Sequence, residues 1–420
     1  MTEKLLHFIW QFRYFNPGSL LTRQGDTVDV IFPGHYNLNQ GPDFTAARVK
    51  IGMQTWAGTV ELHLRTSDWG KHGHSSDKNY RNVILHVVWE DDGGEDHLPL
   101  LALQNRVPHL LLEKYEMLMQ SVSFIPCENQ IGTVHPLTMI SWTDSPLAGR
   151  LGRKSIHVFE MLNESYVHWE EVSWWMIARN FGMTVNADAF EAMAKSLPLS
   201  ILRKHSGQLI QLEALLMGQA GLLETVFTED YPLMLQKEYR YLKKKYKLET
   251  ITHPVHFLRM RPGNFPTVRL AQLARLLAKL PQLFGFFREA ESPTLLMKQL
   301  EVIANDYWHY HYRFDEPTAY KPKAIGSSMA LGIIINTVAP LLFAYGLFNK
   351  LPEFQIKAIK WMEELPAETN AITAGFQKLG IVCRHARDSQ ALLELKTNWC
   401  NLKNCLSCAI GKSVLDPGQS

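Results

Sequence analysis

The chain has 420 residues, of which 46% are hydrophobic and 20% are charged, a composition that excludes a disordered protein and a length that exceeds a single small domain. Its 43 Lys and Arg residues against 41 Asp and Glu residues give a formal net charge of +2, so binding to nucleic acid or to an anionic membrane would need a local basic patch. Five Cys residues are too few for a disulfide scaffold.

The first 125 residues combine helical and strand patterns. Residues 1–15 space their apolar side chains as an amphipathic helix does, and the charged residues among them exclude a signal peptide. Alternating or continuously apolar segments predict strands at 27–32, 46–51, 56–64, 83–89 and 98–103, with a short helix in the polar stretch 65–82. We therefore predict a small α/β domain with a mixed sheet over residues 1–125.

Helical periodicity dominates the rest of the chain. It predicts a large all-α domain over residues 137–380, followed by a C-terminal helix and a cysteine cluster over residues 381–420. The predicted fold class is α+β.

One stretch without charge, residues 324–349, is long enough to cross a bilayer. Small and polar residues such as Gly326, Asn336 and Pro340 interrupt it, so we interpret it as a core helix of the all-α domain. The expected location is the cytoplasm, and no membrane partner is expected.

The strand order of the N-terminal domain predicts that three chemically active side chains converge. Asp43 precedes the second strand, while Glu61 and His63 lie two residues apart on the third strand and share one face. Two carboxylates suit Mg²⁺ or Mn²⁺, and the third group can orient water or stabilise charge at phosphorus. The alternative is structural, because an Asp after Gly-Pro is typical of turns and alternating Glu and His residues are typical of a solvated sheet face.

This order of elements, with Pro42-Asp43 and Glu61-Leu62-His63, resembles the PD-(D/E)xK nuclease superfamily. Its core runs α-β-β-β-α-β, with an Asp at one strand start and Glu-x-Lys on the next strand; the resemblance covers roughly residues 1–105. It implies a metal-dependent nuclease in which Asp43, Glu61 and His63 are catalytic and the two carboxylates hold the ion. His63 stands where that superfamily has Lys, and a neutral imidazole can act as a base or a metal ligand where Lys is a fixed charge.

Further histidines follow this motif. His72 and His74 lie in the polar linker after the third strand, and His86 lies on the next strand. Together with the neighbouring acids they would suit Zn²⁺ or Mn²⁺. The alternative for His86 is a buried side chain whose hydrogen bonds are satisfied within the protein.

Three of the five cysteines, Cys400, Cys405 and Cys408, form a C-x4-C-x2-C pattern. Clustered thiols in a chain of this kind favour Zn²⁺ or an iron–sulfur cluster over disulfides, and some nucleases of the superfamily named above carry such a cluster. A fourth ligand would have to come from Cys383, His385 or Cys127. The alternative is free thiols packed as small apolar groups.

Two basic segments predict contacts with a nucleic-acid backbone. Lys243 and Lys244 belong to a Lys-rich helix, and Arg259, Arg261 and Arg269 surround a Pro-Gly-Asn-Phe-Pro loop at a helix start. The alternatives are a solvated helix face for the lysines and ion pairs with core acids for Arg259 and Arg261.

Motifs along nearly the whole chain also resemble a bacterial family known as a domain of unknown function, family 2851. They lie at residues 41–44, 58–63, 67–69, 259–269, 388–393 and 400–411. This resemblance implies a cytosolic bacterial protein and no particular activity.

The leading functional prediction is a metal-dependent nuclease, a phosphodiesterase that acts on nucleic acid. The first alternative is a non-catalytic nucleic-acid-binding or scaffold protein on a decayed nuclease fold. The second is a metallo-hydrolase of small phosphorylated substrates that uses His63, His72, His74 and His86.

Overall fold

The computed structural model describes residues 1–37, 40–72, 77–94, 97–258 and 260–416, except for the side chains of residues 140 and 143–145. The chain forms two compact units. The first comprises Met1–Asp144, Lys378–Ile381 and Glu394–Ser420, and the second comprises Ser145–Gln377 and Val382–Leu393. A mixed sheet lies in the first unit and a large helical region follows it, so the α+β prediction is confirmed. The C-terminal cysteine segment belongs to the unit that contains the sheet.

The N-terminal elements follow the predicted order. In chain order they are α1 (Glu3–Phe12), β1 (Val28–Phe32), β2 (His35–Tyr36), β3 (Phe44–Ile51), β4 (Gln54–Arg65), α2 (Asp68–Lys71), β5 (Val83–Glu90), β6 (Leu100–Ala102) and α3 (His109–Gln120). The five strands expected from the sequence are present, and the two-residue β2 was not predicted. Between β4 and β5, residues 66–72 and 77–82 contain the single turn α2 and a 3-10 turn, Lys78–Tyr80, where the nuclease core has a helix.

The sheet has the strand order β1-β3-β4-β5-β6, and β2 pairs with β3. Strands β1, β3 and β4 pair antiparallel, whereas β4, β5 and β6 pair parallel. Residues 83–88 of β5 are buried, as expected for a central strand. Helix α1 packs on β4 through an apolar face that includes Leu5, Leu6 and Ile9, and Thr2 caps the helix by accepting a hydrogen bond from the Leu5 N–H.

The chain then enters the helical unit. Its elements, beginning with a helix that starts in the first unit, are α4 (Pro136–Glu164), α5 (Trp169–Phe181), α6 (Met183–Lys195), α7 (Leu199–Lys204), α8 (Leu209–Gln219), α9 (Asp230–Tyr246), α10 (Pro266–Lys279), α11 (Leu283–Glu289), α12 (Pro293–Leu300), α13 (Asp306–His309), β7 (His311–Arg313), β8 (Glu316–Pro317), α14 (Ser327–Ile333), α15 (Ala339–Asn349), α16 (Pro352–Glu364), α17 (Ala371–Lys378) and α18 (Ala386–Glu394). Back in the first unit, α19 (Ala409–Leu415) follows.

The uncharged stretch of the sequence forms α14, a π-helical turn at Ile334–Val338, and α15. Pro340 explains the π turn, because it offers no N–H to the carbonyl of Asn336 and its ring crowds that carbonyl. By length and composition the segment Ser327–Asn349 could cross a membrane, but 61% of its most apolar window is buried within the protein. Ile333, Ile334 and Leu341 are fully buried in the core of the helical unit, which agrees with a core helix.

Candidate functional site

The predicted acidic pair lies where β3 and β4 meet. Phe44 pairs with Val60, so Asp43 and Glu61 occupy the next position on each strand. Beyond Phe44 the register shifts, and Ala46 adopts a left-handed backbone with φ of 55°. Such a bulge bends a strand and re-aims its side chains, as is common beside functional sites.

Glycine 58 explains the start of the Gly-Thr-Val-Glu-Leu-His motif. A Cβ at Gly58 would lie 2.6 Å from the carbonyl oxygen of Asn82 and 2.5 Å from Cγ2 of Ile84. Only glycine therefore allows β4 to approach the start of β5 this closely. This close approach sets the register of β4 against β5, and therefore which residues of β5 lie beside Glu61 and His63.

Asp43 and Glu61 hold each other in place. The Asp43 N–H donates to Glu61 Oε2 at 3.0 Å, and the Leu62 N–H donates to Asp43 Oδ2 at 3.0 Å. Each carboxylate thus accepts from the other's strand. Glu61 is 5% exposed, so it does not belong to the solvated sheet face that the structural alternative assumed.

His63 completes the group and leads to a row of imidazoles. Its Nε2 lies 3.7 Å from Glu61 Oε1 and 3.1 Å from His72 Nδ1, and its Nδ1 lies 2.8 Å from His86 Nε2. His86 and His63 are buried, whereas His72 is exposed. The row therefore joins the acidic pair to the surface. His74, the remaining predicted ligand, lies outside the described residues.

Burial sets the electrostatics of the site. Burial and the adjacent charge of Asp43 raise the pKa of Glu61 to about 8. Burial and the charges of Glu61 and Asp43 raise the pKa of Tyr80 to about 12, which places this phenol beside the pair. The raised pKa means that Glu61 is protonated near neutral pH, and a bound cation would favour its ionised carboxylate.

His7 is a site residue that sequence reasoning missed. It lies on α1 with Nε2 3.2 Å from Asp43 Oδ2, and neither of its ring nitrogens, both buried, makes a hydrogen bond. The sequence contains one indication of this role: His7 is a polar residue among the apolar residues that form the buried face of α1. Buried ring nitrogens that make no hydrogen bond favour a site for a further group beside Asp43.

Oxygen donors from two carboxylates fit the requirements of Mg²⁺ and Mn²⁺. Within the described ranges, however, no group of three or more His, Cys, Asp or Glu side chains is gathered as it would be around a metal ion. Binding would therefore recruit the two acids together with water and substrate oxygens, which is how Mg²⁺ is usually held.

The C-terminal thiols lie near the cysteine that is most distant in sequence. Cys127, Cys400, Cys405 and Cys408 all belong to the first unit. The pKa of Cys127 is raised to about 12 by burial and by the charges of Cys408 and Cys405, and burial with the charges of the other three raises that of Cys400. Cys127 is thus the member that the sequence pattern could not single out. Cys383 lies in the second unit.

Aromatic and backbone donors surround Cys408. The N–H groups of Ile410 and Gly411 at the start of α19 and the indole of Trp142 favour its thiolate, although burial raises the pKa overall. The Trp142 ring packs edge-on against Trp399, with 5.0 Å between the ring centroids. These donors are typical of a site that stabilises sulfur charge.

The predicted basic contacts differ in exposure. Lys244 and Arg261 are exposed, and Lys243 donates to Thr250 Oγ1 at 2.9 Å. Arg269 is only 8% exposed and lines a cavity, so it does not face a nucleic acid outside the protein. Arg269 is buried because it lies on the face of α10 that packs into the core of the helical unit. Arg259 lies outside the described residues.

The chain belongs to the family described as "Protein of unknown function (DUF2851)", whose model matches residues 3–371. The match includes the acidic pair and the histidine row and ends before the C-terminal cysteines. No curated protein and no solved structure matches the chain.

Proposed function

We propose that the first unit is a metal-dependent phosphodiesterase that acts on nucleic acid. The observation that carries this proposal is the mutual clamp between Asp43 and Glu61, with His63 Nε2 3.7 Å from Glu61. The element order that resembles the PD-(D/E)xK nucleases supports it as well. Asp43 and Glu61 would hold Mg²⁺ or Mn²⁺ by their oxygens.

When bound, the ion would lower the pKa of a coordinated water and neutralise charge on the phosphate. His63 would accept the proton of that water at Nε2, or hydrogen-bond to the phosphate, in the role that Lys has in the nuclease superfamily. His86 would hold the His63 ring through Nδ1, since the two nitrogens lie 2.8 Å apart. The exposed His72 would pass the proton to solvent.

The exposed basic residues supply the proposed contacts with the substrate backbone. Lys244 and Arg261 are exposed, whereas the half-buried Lys243 donates to Thr250 Oγ1; such cations suit phosphates without selecting a sequence. Binding through them would weaken steeply as salt is raised.

The test is nicking of plasmid and single-stranded DNA and RNA with Mn²⁺, with Mg²⁺ and with EDTA. We expect Mn²⁺-dependent cleavage that Asp43→Ala reduces to background, while His63→Gln lowers the rate by roughly 10²–10⁴-fold. Asp29→Ala is the matched control, because Asp29 is an exposed carboxylate of the same sheet. Equal cleavage by wild type and Asp43→Ala would contradict the proposal.

The main alternative is a binding or scaffold protein on a decayed nuclease fold. Salt-dependent binding of nucleic acid without cleavage under any metal would favour it. Cleavage of small phosphoesters by a protein that ignores DNA and RNA would instead favour the metallo-hydrolase built on the histidine row.

We further propose that Cys127, Cys400, Cys405 and Cys408 hold Zn²⁺ or an iron–sulfur cluster. Four thiols match the donor set of both groups, and a cation would favour the thiolates, whose pKa values are raised first by burial and, for Cys127 and Cys400, by neighbouring cysteines. Its role would be structural, since it would tie the C-terminal segment to residue 127.

Elemental analysis and visible absorption of the purified protein test this proposal and tell the two groups apart. We expect one Zn²⁺ or one cluster per chain, lost in both Cys127→Ser and Cys405→Ser. Cys383→Ser is the control, because this cysteine lies in the other unit. Retention of metal by Cys127→Ser would remove Cys127 from the site, and absence of metal from wild type purified anaerobically would refute the proposal.

A further inference from the structure

The helical unit contains a cavity of about 1110 Å³. Basic residues line its wall, and Glu368 is the one acid among the described lining residues. Arg179 is paired with Asp188 and Glu191, so the imbalance of charge comes chiefly from Lys154 and Arg269. A cavity of this size holds a cofactor-sized molecule. The imbalance of charge predicts that such a molecule is an anion.

Arg269 carries the argument. None of the ion pairs among the described residues includes it, and its Nε is buried without a hydrogen-bond partner. Its other nitrogens donate to the side-chain oxygens of Gln272 and Asn264 and contact the sulfur atoms of Met329 and Met183. Thioether sulfur is a weak hydrogen-bond acceptor, so the Arg269 guanidinium would form stronger hydrogen bonds with phosphate oxygens than with these sulfur atoms.

Lys154 is the second cation without a carboxylate in contact. Its Nζ donates to Asn336 Oδ1 at 2.9 Å, and Asn336 in turn donates to Glu368 Oε1 at 3.2 Å. An amide thus stands between the lysine and the acid. Partial burial of a charge without direct pairing to a carboxylate is costly, and perturbed groups of this kind cluster at functional sites.

The uncharged helix supplies a further part of the wall, next to the two cations. Ser328, Gly332 and Asn336 recur every four residues and line the cavity, and Asn336 and Thr337 belong to the π turn. A Cβ at Gly332 would meet no atom within 4 Å. The small and polar residues that interrupt the apolar run therefore form one side of the cavity, and π turns are frequent at functional sites.

A smaller cavity of about 360 Å³ adjoins the first and shares Gly263, Asn264 and Ala324 with it. It contains the exposed Arg261 and the 4% exposed Lys323, and no acid among the described lining residues. Lys323 Nζ donates to the carbonyls of His309 and Lys321 and lies 3.9 Å from the centroid of the Tyr312 ring. The basic surface thus extends on both sides of Gly263 and Asn264.

We propose that this cavity binds a small phosphorylated molecule of nucleotide size, with its phosphates on Arg269 and Lys154 and its body against the methionines. Met176, Met183 and Met329 provide an adaptable apolar wall of the kind that accepts a flat ring. The site is independent of the activity proposed for Asp43 and Glu61.

Thermal unfolding of the full chain with inorganic phosphate, pyrophosphate, ADP and a 5′-phosphorylated oligonucleotide tests the proposal. We expect ADP to raise the Tm of wild type by roughly 5 °C at a hundredfold excess over Kd, with a smaller rise from pyrophosphate. Arg269→Met and Lys154→Met should abolish both shifts. Gly332→Leu should remove the ADP shift and keep the pyrophosphate shift, because it fills the space for the body alone.

Arg275→Met is the control, since Arg275 lies on the same helix, donates to the Ile303 carbonyl and does not line either cavity. If Arg269 were only a structural anchor, Arg269→Met would lower the Tm without ligand and no anion would shift wild type. Shifts that survive in all three cavity variants would also overturn the proposal. A shift by the oligonucleotide alone would overturn the assignment to a small molecule.

Discussion

The two units contain ionisable groups whose pKa values are shifted in opposite directions, acids in the first unit and bases in the second. In the first, the carboxylates of Asp43 and Glu61 lie side by side, and burial raises the pKa of Glu61 to about 8. In the second, burial lowers the pKa of Lys154 to about 7 and that of Arg269 to about 10. These pKa shifts all favour the neutral form of the group, and burial is the first cause of each. The comparison teaches that one physical signal points to a cation in one unit and to an anion in the other.

The largest effect should come from Glu61→Gln. A raised pKa means that Glu61 favours the folded state fully below about pH 4.5 and loses this contribution as the pH rises to about 8. Without metal, stability should therefore fall over that window by up to about 1.4 kcal/mol per pH unit from this group. The variant should lack the slope and be more stable than wild type at pH 8.

Urea unfolding at pH 5, 6, 7 and 8 in EDTA measures this difference. Asp29→Asn, which changes an exposed carboxylate of β1, should retain the wild-type slope. A parallel pH dependence in wild type and Glu61→Gln would mean that Glu61 ionises as an ordinary carboxylate and would weaken the case for a cation site.

Lys154→Met should have a smaller effect with the opposite slope. A lowered pKa means that Lys154 favours the folded state above about pH 10.5 and loses this contribution as the pH falls to about 7. Stability of wild type should therefore rise with pH from this group, and the variant should gain most at neutral pH. The effect is smaller because Lys154 is only half-buried.

The same urea series, extended to pH 9 and 10, measures this slope, and Lys244→Met provides an exposed control. Saturating pyrophosphate should abolish the slope in wild type, because an anion keeps the ammonium charged. An unchanged slope with pyrophosphate would separate Lys154 from the anion site.

The sequence predicted the sheet and the acidic pair because both rest on local rules. Alternation with period two placed Glu61 and His63 on one face, and strand order placed Asp43 beside them. The sequence offered Cys127 as one of three candidate fourth ligands but could not single it out, because its proximity to Cys400 depends on the chain returning to the first unit after more than two hundred residues. The burial of Arg269 was missed for a related reason, since the core around α10 is assembled from distant helices.

The smallest predicted effect comes from two glycines of the uncharged stretch, Gly332 in α14 and Gly346 in α15, which differ in the free space beside them. Gly332 adjoins the cavity, and a Cβ there would meet nothing within 4 Å, whereas a Cβ at Gly346 would lie 2.8 Å from the Leu351 carbonyl oxygen. Gly332→Ala should stabilise the protein by roughly 0.5–1 kcal/mol, because alanine restricts the unfolded chain and fits the helix. Gly346→Ala should destabilise it, because backbone cannot yield as a side chain can. Urea midpoints of the two variants measure the contrast, and a destabilised Gly332→Ala would show that the space beside this helix is closed in solution, leaving no room for a ligand body.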